Sequence, residues 1–197
     1  NEEIFSLEKL EKEFSINRIS KSPSIFDYKK LDWFNSEYLK NMSDEEFLRL
    51  SMPYIEKSIS KEFIDKKLIS NLLKSRISTL NQIPEMIEFL ENIPSYEIEL
   101  FQNKKSKSTL ESSLKVLKII KEKLNSVSSW DYQTIHDTLI NTATELEIKN
   151  ATLMWPVRIA ISGKTITPGG AVEILEILGK NESLNRIENS INMLCEK

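Results

Sequence analysis

Two arginines stand out as groups able to recognise a ligand. Arg76 sits in Ser75-Arg76-Ile77 and Arg158 in Val157-Arg158-Ile159, each a lone guanidinium among small or apolar neighbours. Such an arginine is either satisfied in a buried ion pair or holds its planar fork of donors toward a ligand, and the pattern alone leaves both open. The other chemically suggestive groups read as structural. Asp44-Glu45-Glu46 offers adjacent carboxylates, but acidic residues in a first helical turn are what the helix dipole favours. His136, the only histidine, adjoins Asp137 with no serine or cysteine at a spacing that suggests a triad, and a helix surface is expected. With one histidine and one cysteine, Cys195, the sequence argues against a dedicated zinc site and forms no internal disulfide. No catalytic residue and no metal ligand is therefore assigned. Trp33, Trp130 and Trp155 suit either core edges or stacking on a nucleotide, and packing is the expected role.

The elements that position these residues are predicted to be helices. All four glycines, Gly163, Gly169, Gly170 and Gly179, fall in the last quarter, whereas sheet-rich folds use glycine throughout their turns. Leu110, Leu114, Leu117, Ile120 and Leu124 follow three- and four-residue steps, with Ser108 and Glu111 as a capping box. Ser43 and Glu46 form a second box, after which Pro53 limits or kinks the helix. Further helices are expected at 7–14, 60–74, 84–91, 131–147, 168–178 and 182–194, the fifth with Thr167 as N-cap, Pro168 at its first position and Gly179 at its end. Val157 to Ile161 alternates and reads as a short strand. Boundaries are expected at 36–44 and in the polar stretch 92–108, which carries Lys104-Lys105-Ser106-Lys107.

Composition limits the function. The net charge of −3 argues against non-specific coating of nucleic acid, so any RNA contact must use a local basic patch. Charges are spread without long single-sign blocks, as in a soluble globule. No apolar stretch approaches a membrane span and the N-terminus lacks the order of a signal peptide, so a reducing, cytoplasmic setting is expected. A start at Asn1 rather than methionine suggests a fragment.

Three groups of residues carry a family resemblance. Phe5-Ser-Leu-Glu-Lys-Leu, Phe14, Arg18-Ile-Ser-Lys-Ser-Pro-Ser-Ile-Phe-Asp27 and Lys30-Leu-Asp-Trp-Phe-Asn35 resemble the segment after the catalytic core of bacterial glutamyl-tRNA synthetases. Arg76-Ile-Ser-Thr-Leu80 with Pro84 is similar to that family's R-x-x-T-L element. Trp155-Pro-Val-Arg-Ile-Ala-Ile-Ser-Gly163, Thr167-Pro-Gly-Gly, Glu173-Ile-Leu and Leu178-Gly-Lys180 resemble its P-L-R-x-A-L-T-G and L-G-K-E elements. Arg18 to Ser22 also looks like the K-M-S-K-S loop that holds ATP in class I synthetases. That reading is rejected, because the companion H-I-G-H signature is impossible with His136 alone, and Pro23 makes the segment an extended turn.

The resemblance implies an all-α, two-lobed anticodon-binding architecture: a stem-contact region at 1–42 and helical subdomains at 43–95 and 96–197. It makes 157–161 helical, overriding the strand. It implies tRNA(Glu) as partner of a monomer, with ATP and Mg2+ needed only by an absent catalytic domain. Arg76 matches the arginine set against the third anticodon base, and Arg158 and the Thr167-Pro168-Gly169 turn match positions beside the other two. Lys21, Lys30, Asn35 and Lys105 are the expected tRNA-backbone contacts. Where many members carry a bulky pair after Thr-Pro, this chain has Gly169-Gly170-Ala171-Val172, one residue longer. Single-stranded anticodon bases offer their edges to a few fixed donors, which lets an acidic protein bind tRNA. The rival readings are a helical protein-interaction module, with both arginines in core ion pairs, and a non-discriminating synthetase that also charges tRNA(Gln); arginine at 76 leans toward discrimination.

Overall fold

The computed structural model describes residues 4–19, 22–23 and 25–196. Lys21 lies outside the described residues. Nine α-helices and three short 3-10 turns occur among the described residues, with no strand beyond one isolated bridge between Asn103 and Ser108. The all-helical expectation holds.

The first two helices are α1 (Leu7–Glu13) and α2 (Tyr28–Asn41). Asp27 starts α2 by accepting hydrogen bonds from the Lys29 and Lys30 N–H groups at 2.9 and 3.2 Å. The helix crosses the boundary expected at 36–44, and only Leu39 of it is buried. Tyr38 ties it back to the N-terminal segment by donating to the Phe5 carbonyl at 2.6 Å.

Helices α3 (Asp44–Ser58), α4 (Lys66–Leu73) and α5 (Ile83–Glu91) pack together. Ser43 caps α3 by accepting from the Glu46 N–H at 3.1 Å, and Asp44 in the first turn pairs with Lys74 at 2.7 Å, the structural role expected of the acidic cluster. The helix runs five residues past Pro53 and buries Phe47, Ser51 and Ile55 at four-residue intervals. Helix α4 begins at Lys66 rather than Ser60. The Glu91 carboxylate instead accepts from the Ser60 and Lys61 N–H groups, and Asp65 provides the cap. These bonds hold the Glu91 carboxyl below the usual carboxylate range, led by the hydrogen bond from the Ser60 side chain.

Helices α6 (Leu110–Ser126), α7 (Tyr132–Glu145), α8 (Asn150–Ser162) and α9 (Ala171–Cys195) form the second group. The α6 cap is Thr109 with Ser112, one residue later than expected, because Ser108 is buried beside Ser106 and its hydroxyl lies 3.4 Å from the Thr152 carbonyl. Helix α8 includes the run that alternates as a strand would. Val157, Ile159, Ala160 and Ile161 are all fully buried, and a helix enclosed on every side shows no helical period. Helix α9 breaks at Gly179, whose φ of 74° and ψ of 167° are open to glycine and strained for other residues, so the predicted stop after Leu178 is correct. Trp130 and Trp155 are half-buried and donate to the Leu175 and Leu100 carbonyls at 2.9 and 2.8 Å, as packing tryptophans do. Trp33 is 42% exposed and meets Phe34 edge to face.

One hydrophobic cluster runs through both groups of helices. Across their junction the buried Arg186 of α9 donates to the Phe89 and Leu90 carbonyls at the end of α5 and to the Ile161 carbonyl at the end of α8, all at 2.7–2.8 Å. Glu182 accepts from its Nε at 2.8 Å and pairs with Lys61 at 3.2 Å. Cationic donors at two helix C-termini satisfy carbonyls that the helices leave open and complement both dipoles.

Candidate nucleic-acid interface

The α8–α9 connection is built from the end of α8 outward. Gly163 terminates α8 at φ 64°, donating to the Ile159 carbonyl at 2.8 Å. A Cβ at this position would lie 2.7 Å from the Tyr96 ring and 3.2 Å from Pro94, so both its conformation and its surroundings demand glycine. The Ser162 hydroxyl lies 2.7 Å from the Arg158 carbonyl and 3.2 Å from that of Lys164, and accepts from the Lys164 N–H at 3.1 Å. Lys164 then reaches α5 and pairs with Glu88 at 2.9 Å.

The second half of the connection corrects the expected helix start. Thr167 does not cap α9, and Pro168 is not its first residue; the helix begins at Ala171 with Gly170 as N-cap, and the Thr167 hydroxyl donates to the Gly169 carbonyl at 2.6 Å. Two consecutive glycines are poor helix formers, so the turn extends through them. Both are pressed against neighbours. A Cβ on Gly169 would lie 3.1 and 3.2 Å from the Leu72 methyls of α4, and one on Gly170 would lie 2.8 Å from the Glu173 carboxylate.

This connection forms one wall of an open cleft of about 360 Å³ whose other wall is α5 and the turn before it. Arg76, Thr167 and Pro168, all expected at the site, line it together. The Arg76 guanidinium is fixed at one end, where Nη1 donates to the Leu72 carbonyl at 2.6 Å, while Nη2 lies 4.0 Å from Glu173 and the side chain stays 38% exposed. Gly169 touches the same Leu72 that anchors Arg76 but is itself buried.

Arg158 lies on α8, before its Gly163 C-cap, and is not among the residues lining the cleft. Its Nε is buried without a hydrogen-bond partner, the one such side-chain atom found among the described residues. Lys30, Asn35 and Lys105 are exposed and do not line the cleft: Lys30 and Asn35 are on α2, with Lys30 over the Phe34 ring, and Lys105 is in the turn bridged by Asn103 and Ser108. His136 is on the α7 surface beside Asp137 at 3.1 Å. Among the described residues no group of three or more His, Cys, Asp or Glu side chains is placed to hold a metal, and no helix is long and apolar enough to cross a membrane.

Gln82, Glu85, Met86, Lys164 and Ile166 also line the cleft and were not foreseen. Gln82 uses its carbonyl oxygen to cap the preceding turn, accepting from the Ser78 and Thr79 N–H groups at 2.8 and 3.3 Å. Only Lys164, between Gly163 and the Thr-Pro turn, gave a sequence signal, as a cation in a glycine-bounded loop. Gln82, Glu85 and Met86 belong to α5 and the turn before it, which pack on α3, and Ile166 belongs to the α8–α9 connection.

The chain matches the anticodon binding domain family over residues 29–191. It is 46% identical over 193 residues to the glutamate–tRNA ligase of Clostridium tetani and 45% identical over 194 residues to that of Lachnoclostridium phytofermentans, in each case over 98% of this chain. It spans 39% of the length of these curated relatives. Among solved structures, a glutamate tRNA ligase from Elizabethkingia meningosepticum superposes with a TM-score of 0.81 at 26% identity, covering 98% of this chain and 38% of that one. The glutamate-tRNA synthetase of Elizabethkingia anophelis, at 24% identity and a TM-score of 0.77, shares the fold over 95% of this chain and 36% of its own.

Proposed function

Because the chain belongs to the anticodon binding domain family, we propose that it reads the anticodon of tRNA(Glu) as part of a cytoplasmic, monomeric glutamate–tRNA ligase. Attachment of glutamate, with ATP and Mg2+, is the work of a catalytic portion outside this chain. The observation that carries the reading is the convergence of Arg76, Thr167 and Pro168, far apart in sequence, on one cleft. Arg76 offers a fork whose far end is anchored on a backbone carbonyl, so the remaining donors are preorganised for a base edge. Arg158 enters the reading through the family resemblance, since its Nε is buried and the side chain does not line the cleft. Two features favour this over a protein-interaction module: Arg76 is partly exposed, and Arg158 makes no ion pair among the described residues. Residues 1–42 serve as the stem-contact region, with 43–95 and 96–197 as the two helical subdomains, and Lys21, Lys30, Asn35 and Lys105 approach the tRNA backbone. Arginine at position 76 favours an enzyme that discriminates against tRNA(Gln).

The test is filter binding of Arg76→Ala and Arg158→Ala to tRNA(Glu) transcripts altered at single anticodon positions. Loss of a bidentate contact removes about 1–3 kcal/mol of discrimination, on the scale of base readout in duplex DNA. Arg76→Ala should lose it at the third base and Arg158→Ala at an earlier one, while Lys105→Ala should weaken all transcripts alike. Folded mutants with wild-type ratios for every transcript would overturn the assignment.

A further inference from the structure

The cleft has an apolar side chain that packing does not explain. Ile166 is 84% exposed although it sits in a loop fixed at both ends, by Gly163 and Ser162 on one side and by the Thr167–Gly169 hydrogen bond on the other. Its backbone is held in place while its side chain is presented to solvent beside Arg76. The next residues cannot offer a comparable surface. Gly169 and Gly170 have no side chains, and the close approach of Leu72 and the Glu173 carboxylate leaves little space for any. Of the 163–170 connection, only Ile166 and Pro168 bring apolar side chains to the cleft, and Pro168 is already partly covered.

We infer that Ile166 is the platform against which an unstacked anticodon base lies while Arg76 engages the edge of a base in the same cleft. This rests on the anticodon-binding reading above. A splayed base has two apolar faces that need covering as well as an edge to be read, and an aliphatic side chain next to a guanidinium fork supplies both contacts. The partly buried Met86, on the opposite wall, encloses the same space. The cleft's 360 Å³ falls within the range of small-ligand sites. Lys164 also lines the cleft, where Glu88 already holds its ammonium at 2.9 Å.

The probe is a tRNA(Glu) transcript carrying a fluorescent analogue of the native base at each anticodon position in turn, titrated with the 197-residue chain and with Ile166→Ser and Ile166→Leu. Wild type should change the fluorescence at one anticodon position. Ile166→Ser should abolish that change and weaken binding about fivefold, at the low end of base-stacking effects because the platform is aliphatic. Ile166→Leu should restore both. An exposed position makes Ile166→Ser neutral for folding, which an unchanged melting temperature verifies. If wild type binds in an anticodon-dependent way but Ile166→Ser keeps the same signal and affinity, the inference is wrong while the anticodon reading stands. Binding by wild type that ignores the anticodon defeats both.

Discussion

At the scale of the residue, what distinguishes Arg76 is how little freedom its guanidinium retains. The Leu72 carbonyl holds Nη1, and Glu173 faces Nη2 from α9. A lysine would keep the charge but lose the fork. Gly163 exerts equal control over the site from the other wall. Gly163→Ala forces a left-handed backbone on a residue with a Cβ and drives that Cβ into the Tyr96 ring. It should destabilise the chain by about 1–3 kcal/mol, read as a lowered midpoint in urea unfolding; an unchanged midpoint contradicts the contact. Arg76 stands out in the sequence as a lone guanidinium and does line the cleft, whereas Arg158, which stands out by the same signal, does not, and the helix end at Gly163 was not foreseen. Nor were the roles of Ile166 and Arg186. An isoleucine looks the same in sequence whether buried or exposed, and the i,i+4 pairing of Glu182 with Arg186 hints at a helix pair without telling that Arg186 reaches three carbonyls on two other elements.

At the scale of elements, caps decided most boundaries. Ser43, Gly179 and the Ile83-Pro84 start behaved as their types predict. Several of the misses involve a tertiary partner. Ser60 and Lys61 give their N–H groups to Glu91, Ser108 is drawn into a buried hydroxyl pair with Ser106, and Gly169 packs on Leu72, which moves the start of α9 beyond the Thr-Pro turn. The junction of α5, α8 and α9 also carries a pH dependence. Burial pushes the Glu182 carboxyl up, but the hydrogen bonds and charges of Arg186 and Lys61 outweigh it, and the folded-state value lies below the ordinary 4.5. A depressed carboxylate contributes stability that is complete above its unfolded value and lost as pH falls through the folded one. Wild type should therefore melt at a higher temperature than Glu182→Gln at neutral pH, and the gap should close below about pH 4.5 as Glu182 takes up its proton. A gap that stays constant across that range contradicts the linkage.

At the scale of the whole molecule, an acidic chain is given a nucleic-acid role, which requires that recognition be local. The observed arrangement provides that: two helical groups share one core, Arg186 binds their junction, and the cleft beside it gathers Arg76, Lys164 and the Thr167-Pro168 turn from both groups. The helical class was legible from glycine placement and capping. The shared core was not, because contacts between α4 and α9, about a hundred residues apart, leave no periodic trace in either. The central claim is that affinity depends on the anticodon. The most direct measurement is the affinity of the wild-type chain for a tRNA(Glu) transcript against one of identical body whose three anticodon bases are replaced, at one fixed salt concentration. The account predicts at least about tenfold tighter binding to the intact anticodon, the equivalent of one base-reading arginine. Equal affinity for the two transcripts would contradict it.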